Sequence, residues 1–111
     1  MSDYVCILVT ASSPDEARNL ARALLEARLA GCVKIIAAVE SHYWWQGVLE
    51  HATECQLVIK SRAALVRDVI ACVKANHTYT VPEVIALPVI DGNPHYLDWL
   101  GKETAPSGAA E

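Results

Sequence analysis

The sequence predicts an α+β domain of the ferredoxin-like type: a four-stranded sheet with two helices on one face and a third helix at the C-terminus. Strand-type and helix-type hydrophobic patterns alternate in the order β-α-β-β-α-β, which is the order of that fold. A chain of 111 residues, 53% hydrophobic and 20% charged, supplies one core and is too short for two. We assign the domain to residues 1–100 and expect residues 101–111, which are small and polar, to form a flexible tail.

The first quarter of the chain carries a buried strand followed by an amphipathic helix. Residues 4–10 form a nearly continuous apolar run, which is typical of a central strand buried on both faces. Residues 12–16 (SSPDE) then place serine, proline and acidic side chains where a helix begins. We expect this helix to end before Gly31.

A long β-hairpin is predicted next, with residues 32–45 and 48–61 as its strands and Gln46-Gly47 as its turn. Strict alternation would place the odd-numbered residues from Val33 to Trp45 on one face. The first strand would be about 46 Å long at about 3.3 Å per residue. A domain of this size has a radius of gyration of about 13 Å. The hairpin must therefore bend sharply or project beyond its own core.

Three aromatic residues lie at the tip of this hairpin: Tyr43, Trp44 and Trp45. A projecting aromatic tip is an exposed apolar patch unless another chain covers it, and the uncovered face of the sheet needs the same cover. Aromatic side chains are the usual anchors of interfaces. We therefore expect self-association, with the tip residues and Trp99 at the interface; the geometry does not give the number of subunits.

In the second half of the chain, the sequence predicts a helix from about Ser61, a loop over residues 76–80 and a strand over residues 81–90. Pro82 and Pro88 favour an edge position or irregular pairing for that strand. A short last helix is expected to begin after Asn93 and to end at residue 100.

Charge and hydropathy exclude several classes of partner. Nine basic and 13 acidic residues give a net charge of −4, so the chain lacks the basic surface that nucleic acids select. No apolar run approaches the roughly 20 residues that span a bilayer. The first four residues contain no basic segment of a signal peptide. We expect a cytoplasmic protein without membrane or nucleic-acid partners.

The four cysteines, at positions 6, 32, 55 and 72, form no C-x-x-C pair, which argues against a zinc ribbon or a thioredoxin-type site. We interpret Cys6 and Cys72 as small buried hydrophobic residues, and we expect Cys32 and Cys55 to be partly exposed. Disulfides are disfavoured in the inferred compartment.

No G-x-S-x-G, H-E-x-x-H, P-loop or G-x-G-x-x-G motif is present, and a Cys32–His77 dyad would have no third residue to orient it. We do not expect an enzyme.

Five segments, in order, resemble the CutA divalent-cation-tolerance family. They are residues 29–33 (LAGCV), 41–47 (SHYWWQG), 59–62 (IKSR), 81–88 (VPEVIALP) and 92–99 (GNPHYLDW). The resemblance covers about residues 5–100, and a Y-W-W-x-G hairpin joined to a V-P-E-containing strand is very specific. It implies a ferredoxin-like subunit in a tight trimer similar to the PII signalling proteins, an association with copper and other divalent metals, and no established catalytic activity.

The sequence departs from the family pattern at two places. Lys34 stands where asparagine is usual after the C-V pair, and Thr78 and Thr80 replace the proline and the acid of an H-P-Y-[ED] motif. The lost proline implies a less rigid loop, and the lost acid removes a hard ligand or a charge partner.

Metal binding is the first functional hypothesis. Soft and borderline cations prefer thiolate and imidazole ligands. The candidate ligands are Cys32, His42, His51, His77, His95 and Glu83. No two of them are spaced as a local chelate, so a site must assemble through the fold or across subunits; each histidine is otherwise a surface or interface residue. Because Cys32 and His77 match family positions, we assign the metal site to Cys32, His77 and Glu83, with Cu(II) as the first candidate ion and no metal required for folding.

A ligand-binding cleft is the competing hypothesis. Lys60 ends the third strand, His77 and Tyr79 lie in the following loop, and Glu83 opens the fourth strand, so these polar groups would meet beside tryptophans. The alternative is a Lys60–Glu83 ion pair at a subunit interface, with Tyr79 packed over it. A cleft of this kind would make the protein a PII-like sensor of a small molecule or an anion.

Overall fold

The computed structural model describes residues 3–104 and confirms the predicted ferredoxin-like architecture. Its four strands form one sheet in the order β2-β3-β1-β4, with every neighbouring pair antiparallel. The elements are β1 (Tyr4–Ala11), α1 (Pro14–Glu26), β2 (Cys32–Trp45), β3 (Val48–Arg62), a 3-10 turn (Ala63–Leu65), α2 (Val66–Asn76), β4 (Val84–Pro88) and α3 (Pro94–Glu103).

The hydrophobic core lies between one face of the sheet and the helices α1 and α2. Alternate residues of β1 and β3, among them Ile7 and Ile59, are fully buried there against Leu20 of α1 and Val69 of α2. The other face of the sheet is only partly covered by the single chain. Contrary to the expectation for β1, one side of the strand is buried and the other is not.

We call that second side the open face. Its residues include Cys6 and Leu8 of β1, Val58 and Lys60 of β3, and Ile85 and Leu87 of β4, by the pairing register of the strands. Cys6 and Leu8 are half-buried, whereas Ile85 and Leu87 are exposed. This mixed apolar surface is what the sequence predicted another chain would cover.

Both the start of α1 and its end before Gly31 agree with the sequence. The Ser13 hydroxyl accepts a 3.1 Å hydrogen bond from the Glu16 N–H, and Pro14 occupies the first turn. The helix ends at Glu26, and Arg28 (φ 60°) adopts the left-handed conformation just beyond it. Gly31 serves close packing, since a Cβ there would lie 2.6 Å from Leu100 Cδ1.

Three boundaries elsewhere differ from the prediction. The fourth strand covers only Val84–Pro88 rather than residues 81–90, and α2 begins at Val66, because β3 continues to Arg62 and a 3-10 turn follows it. The last helix continues through Glu103, and Gly101 and Thr104 are buried. Residues 101–104 are therefore packed and not part of a tail; residues 105–111 lie outside the described residues.

A β-bulge in β2 changes which residues share a face. The register is Ile36 with Gln56 before it and Val39 with Glu54 after it, so β2 contains one extra residue. Val33 and Ile35 consequently pack on the helix-covered side, whereas Tyr43 and Trp45 lie on the opposite side of the ladder. The predicted single face from Val33 to Trp45 is wrong for this reason.

Beyond the bulge, the hairpin projects from the domain as a two-stranded arm, which we define as residues 39–54. Gln46 (φ 50°) and Gly47 (φ 80°) form its turn, and the chain measures 49 × 26 × 22 Å along its principal axes. Trp44 is 71% exposed and Trp45 46%. Projection rather than a sharp bend thus accommodates the long strand.

Candidate functional site

A large cavity lies between the arm and the loop of residues 77–83, beside the C-terminal end of β1. We call it the arm–loop cleft; it has a volume of about 790 Å³ and is open to solvent. Its polar lining includes Glu54 of β3, Tyr79 and Glu83, and Trp45 forms part of its apolar wall. Three of the predicted cleft residues therefore converge here: Tyr79 and Glu83 line the cavity, and His77 holds the loop behind it.

Tyr79 and Glu54 form a strong contact inside the cleft. The phenol donates a 2.5 Å hydrogen bond to Glu54 Oε2, and Glu54 is only 7% exposed. Burial, followed by this bond and the negative charge of Glu54, raises the pKa of Tyr79 well above its usual range. The phenol therefore stays protonated, and it serves as a donor that orients the carboxylate.

Glu83, at the opening of β4, is the second carboxylate of the cleft. Its Oε1 accepts a 2.9 Å hydrogen bond from the hydroxyl of Thr10, which is itself 7% exposed. Within residues 3–104, no lysine or arginine forms an ion pair with Glu54 or Glu83. Glu83 is exposed, whereas Glu54 is buried. Buried charges in proteins are normally paired or bound to metal, so the buried carboxylate of Glu54 beside that of Glu83 favours a cation.

His77 is fully buried and both of its ring nitrogens are engaged. Nδ1 accepts a 3.0 Å hydrogen bond from the Tyr79 N–H, which leaves Nε2–H to donate at 2.7 Å to the Thr10 carbonyl. The imidazole also stacks against Tyr79, with ring centroids 4.6 Å apart. His77 thus anchors the loop to β1 and positions Tyr79. It has no free lone pair to offer a metal unless one of these bonds breaks.

Glu16 fixes the same loop from the side of α1. Its carboxylate accepts 2.8 Å hydrogen bonds from the N–H and hydroxyl of Ser12 and from the Thr78 N–H. Burial opposes ionisation of Glu16, but the bonds from Ser12 and Thr78 outweigh it and lower its pKa to about 2. The loop that carries Tyr79 therefore rests on a buried, ionised carboxylate.

Cys32 and Lys60 lie at the opposite end of the sheet. They are cross-strand partners, and Lys60 pairs in turn with Cys6, whereas Thr10 pairs with Gln56. Four residues of β1, or about 13 Å, separate the two positions. Within one chain, the structure therefore does not bring Cys32 to His77 and Glu83. Lys60 lies outside the cleft and forms no ion pair with Glu83.

At that opposite end, Cys32 has α3 as its neighbour. Burial and the adjacent Cys32 thiol raise the pKa of Tyr96, whose ring packs on Trp99 with centroids 5.4 Å apart. Trp99 is 40% exposed in the single chain. The predicted interface residues are thus exposed at two places, the arm and this helix.

The cysteines are distributed differently from the prediction. Cys55 is the buried one, and its thiol donates a 3.1 Å hydrogen bond to the Ala37 carbonyl at the bulge. Cys6, Cys32 and Cys72 are half-buried, and all four are free thiols. In the described part of the chain, no three histidine, cysteine or acidic side chains already form a metal-binding group.

Sequence reasoning missed Glu54 as a cleft residue. The hairpin turn could have indicated it. Counting residues outwards from Gln46-Gly47 gives the cross-strand pairs of the arm, and the bulge shifts these pairs by one residue nearer the core. The bulge has no clear signature in the run of small and branched residues around Ala37. It shifts Glu54 opposite Val39, beside the loop that carries Tyr79.

The chain is similar to a known protein family in sequence. The sequence model of the CutA1 divalent ion tolerance protein matches residues 5–103. The divalent-cation tolerance protein CutA of Thermus thermophilus is 44% identical over 98 residues, which are 88% of this chain and 95% of that protein. The chloroplastic CutA 1 of rice is 42% identical over 93% of this chain, but the chain spans only 58% of that relative's length.

Solved structures agree with the sequence comparison. The structure of the Thermus thermophilus protein has a TM-score of 0.89 at 42% identity and covers 91% of this chain and 98% of its own. The structure of the periplasmic divalent cation tolerance protein CutA of Archaeoglobus fulgidus has a TM-score of 0.88 at 39% identity and covers 91% of this chain and 98% of its own. Among residues 3–104, no helix is both long and apolar enough to cross a membrane. On the evidence of matched length, identity and fold, the chain belongs to the CutA1 divalent ion tolerance family.

Proposed function

We propose that this protein acts in divalent-cation tolerance as a homotrimer that binds a divalent cation, Cu(II) first, in the arm–loop cleft. The observation that carries the proposal is Glu54, a carboxylate only 7% exposed whose hydrogen-bond partner is a phenol and not a cationic side chain. Glu83 lines the same cavity. Two relatives named divalent-cation tolerance protein CutA, from Thermus thermophilus and Archaeoglobus fulgidus, support the role in cation tolerance.

The ligands we propose are the carboxylates of Glu54 and Glu83. Oxygen donors accept several divalent ions, and among these Cu(II) generally binds a given set of N, O and S donors most tightly. Of the ligand set predicted from sequence, Glu83 keeps its role, whereas His77 positions the loop. Cys32 would contribute to a site only together with a neighbouring subunit. Water or a second chain completes the coordination.

The trimer is supported by surfaces that the single chain leaves uncovered. Ile85 and Leu87 of the open face are about half exposed, at 49% and 46%, and Tyr43 and Trp45 of the arm are similarly exposed, at 41% and 46%. The core between the sheet and the helices consists of apolar side chains, so metal supplies no part of the folding free energy in this proposal, unlike in zinc-dependent small domains. We assign no catalytic role to the protein and keep the cytoplasm as its proposed compartment.

The test is a calorimetric titration of chelator-treated protein with Cu(II). We expect the Glu54→Gln/Glu83→Gln double variant to bind at least about tenfold more weakly, because two anionic ligands become neutral. Glu50→Gln is the matched control, since it removes an exposed carboxylate from the arm outside the cleft. Cys32→Ser is the contrasting variant. A loss of affinity in Cys32→Ser, with none in the double variant, would move the site to the other end of the sheet.

A small-molecule sensor is the second candidate, favoured by the size of the cleft. A cavity of about 790 Å³ lies within the range of about 300–1,000 Å³ that is typical of ligand sites. Its carboxylates disfavour an anion, and Lys60, the cation predicted to bind one, is absent from the lining. Binding of an anionic metabolite that Lys60→Ala abolishes would support a sensor whose site lies at the other end of the sheet, whereas binding of a metabolite that Glu54→Gln alters would support a sensor in the cleft.

A further inference from the structure

We propose a second metal site, a two-imidazole chelate formed by His42 and His51 on the arm, for a borderline divalent cation such as Cu(II), Ni(II) or Zn(II). The two residues are directly paired across β2 and β3, with ring centroids 5.8 Å apart and a 37° angle between the rings. This site is separate from the carboxylate pair of the cleft, and it does not rest on the proposed function.

The spacing of the two rings suits a chelate. Metal–nitrogen distances of about 2.0–2.1 Å place two neighbouring imidazole nitrogens about 3 Å from one another. Because the nitrogens lie on the rims of the rings, centroids 5.8 Å apart allow that separation with a small side-chain adjustment. Directly opposed residues of an antiparallel pair have Cβ atoms about 4.5–5.5 Å apart, so the backbone already holds both side chains on one side of the arm.

Glu40 completes the arrangement by orienting one ring. Its Oε2 lies 3.0 Å from His42 Nε2, so that the carboxylate accepts the Nε2–H and Nδ1 keeps the lone pair. A carboxylate that fixes the tautomer of a histidine and raises its basicity is the usual support of a metal-binding imidazole. Waters would fill the positions that the two nitrogens leave open.

The pair is accessible in the single chain. The His42 side chain is 60% exposed, and His51 is exposed as well. By the register, both lie on the side of the ladder that carries Trp44 and Leu49, opposite Tyr43 and Trp45. Glu40 and His42 also border the arm–loop cleft, whereas His51 does not line it, so His51 variants separate the two sites.

His95 provides a matched control for the two histidines of the pair. Of the four histidines, His77 is buried with both nitrogens engaged, and His95 is exposed at the start of α3. His95→Gln therefore removes an unpaired surface imidazole, whereas His42→Gln and His51→Gln each remove half of the pair. All three positions are exposed, so folding should be unaffected; thermal melts without metal check this.

The experiment titrates chelator-treated full-length protein with Cu(II) and records electron paramagnetic resonance spectra and affinity. We expect nitrogen couplings of two imidazoles in the parent and in His95→Gln. We expect loss of one coupling and roughly 100-fold weaker binding in His42→Gln or His51→Gln, as for loss of one arm of a chelate. The Glu54→Gln/Glu83→Gln variant should retain the two-imidazole signal. This holds whether or not the cleft also binds a metal, so the two proposals can fail separately. A parent spectrum without two imidazoles, or an unchanged affinity in His51→Gln, would overturn the proposal.

Discussion

The backbone N–H of Thr78 donates a 2.8 Å hydrogen bond to the carboxylate of Glu16, a residue 62 positions earlier in the chain. This contact ties the loop of the arm–loop cleft to α1, close to the bond between His77 and β1. The resemblance described above implies a proline at this position, and a proline lacks the N–H that this bond needs. At Thr78 the loop is held by a hydrogen bond to a buried anion.

Replacement of this residue by proline should destabilise the protein. The change Thr78→Pro deletes a hydrogen bond to a charged acceptor, and we expect a loss of about 2 kcal/mol in the free energy of unfolding, measured by urea denaturation. The extended backbone of His77 (φ −106°, ψ 145°) is compatible with a following proline. Thr78→Ala keeps the N–H and should lose less. A proline variant more stable than the parent would show that loop rigidity outweighs the bond.

Acid should destabilise the protein through Glu16. The pKa of this carboxyl falls from its ordinary value of 4.5 to about 2 in the folded chain. Its contribution is therefore complete above pH 4.5 and is lost as the pH falls towards 2, by about 3 kcal/mol at about 1.4 kcal/mol per pKa unit. Denaturation between pH 5 and 2 should show a shallower dependence in Glu16→Gln. Equal slopes in both proteins would contradict this assignment.

The trimer should persist without metal. Apolar burial of the open face and the arm holds it together in our proposal, and no ion contributes. Light scattering in excess chelator should give the mass of three chains over the working range of protein concentration. A mass of one chain in chelator, restored to three by Cu(II), would show instead that the metal joins the subunits.

The two tip tryptophans should differ in their effect on assembly. Trp45 lies on the side of the ladder that carries Tyr43, whereas Trp44 lies on the other side and is 71% exposed. Truncating a buried aromatic costs about 3–5 kcal/mol, so Trp45→Ala should lower the melting temperature and promote dissociation more than Trp44→Ala. The reverse order, measured by calorimetry and light scattering, would place the interface on the other face of the arm.

The order of elements was predictable because it depends on local patterns. Alternation and helical spacing identified each strand and helix, and Ser13 and Asn93 marked two helix starts that the structure confirms. The ends were less predictable, since they depend on packing between distant residues. Gly31, for example, packs closely against Leu100, and no local sequence pattern indicates this contact between residues 69 positions apart.

The candidate site was only partly predictable, for a reason of topology. His77, Tyr79 and Glu83 come together because one short loop carries them. Lys60 was placed with them because it ends a strand just before the same helix and loop. However, β1 separates β3 from β4, and Val9 of β1 pairs with Leu57 on one side and with Val84 on the other. The start of β4 is therefore level with the middle of β3 and not with its end. The bulge that brings Glu54 to Tyr79 is equally non-local.

The claim that the arm–loop cleft holds a divalent cation is tested most directly by locating the ion. Crystals of chelator-treated protein would be given Cu(II), and anomalous difference density would be collected at the copper absorption edge. We predict a peak within coordination distance, about 2.0–2.2 Å, of the Glu54 and Glu83 carboxylates. Density at Cys32 alone, or none in the cleft at a copper concentration that saturates the calorimetric titration, would contradict the account.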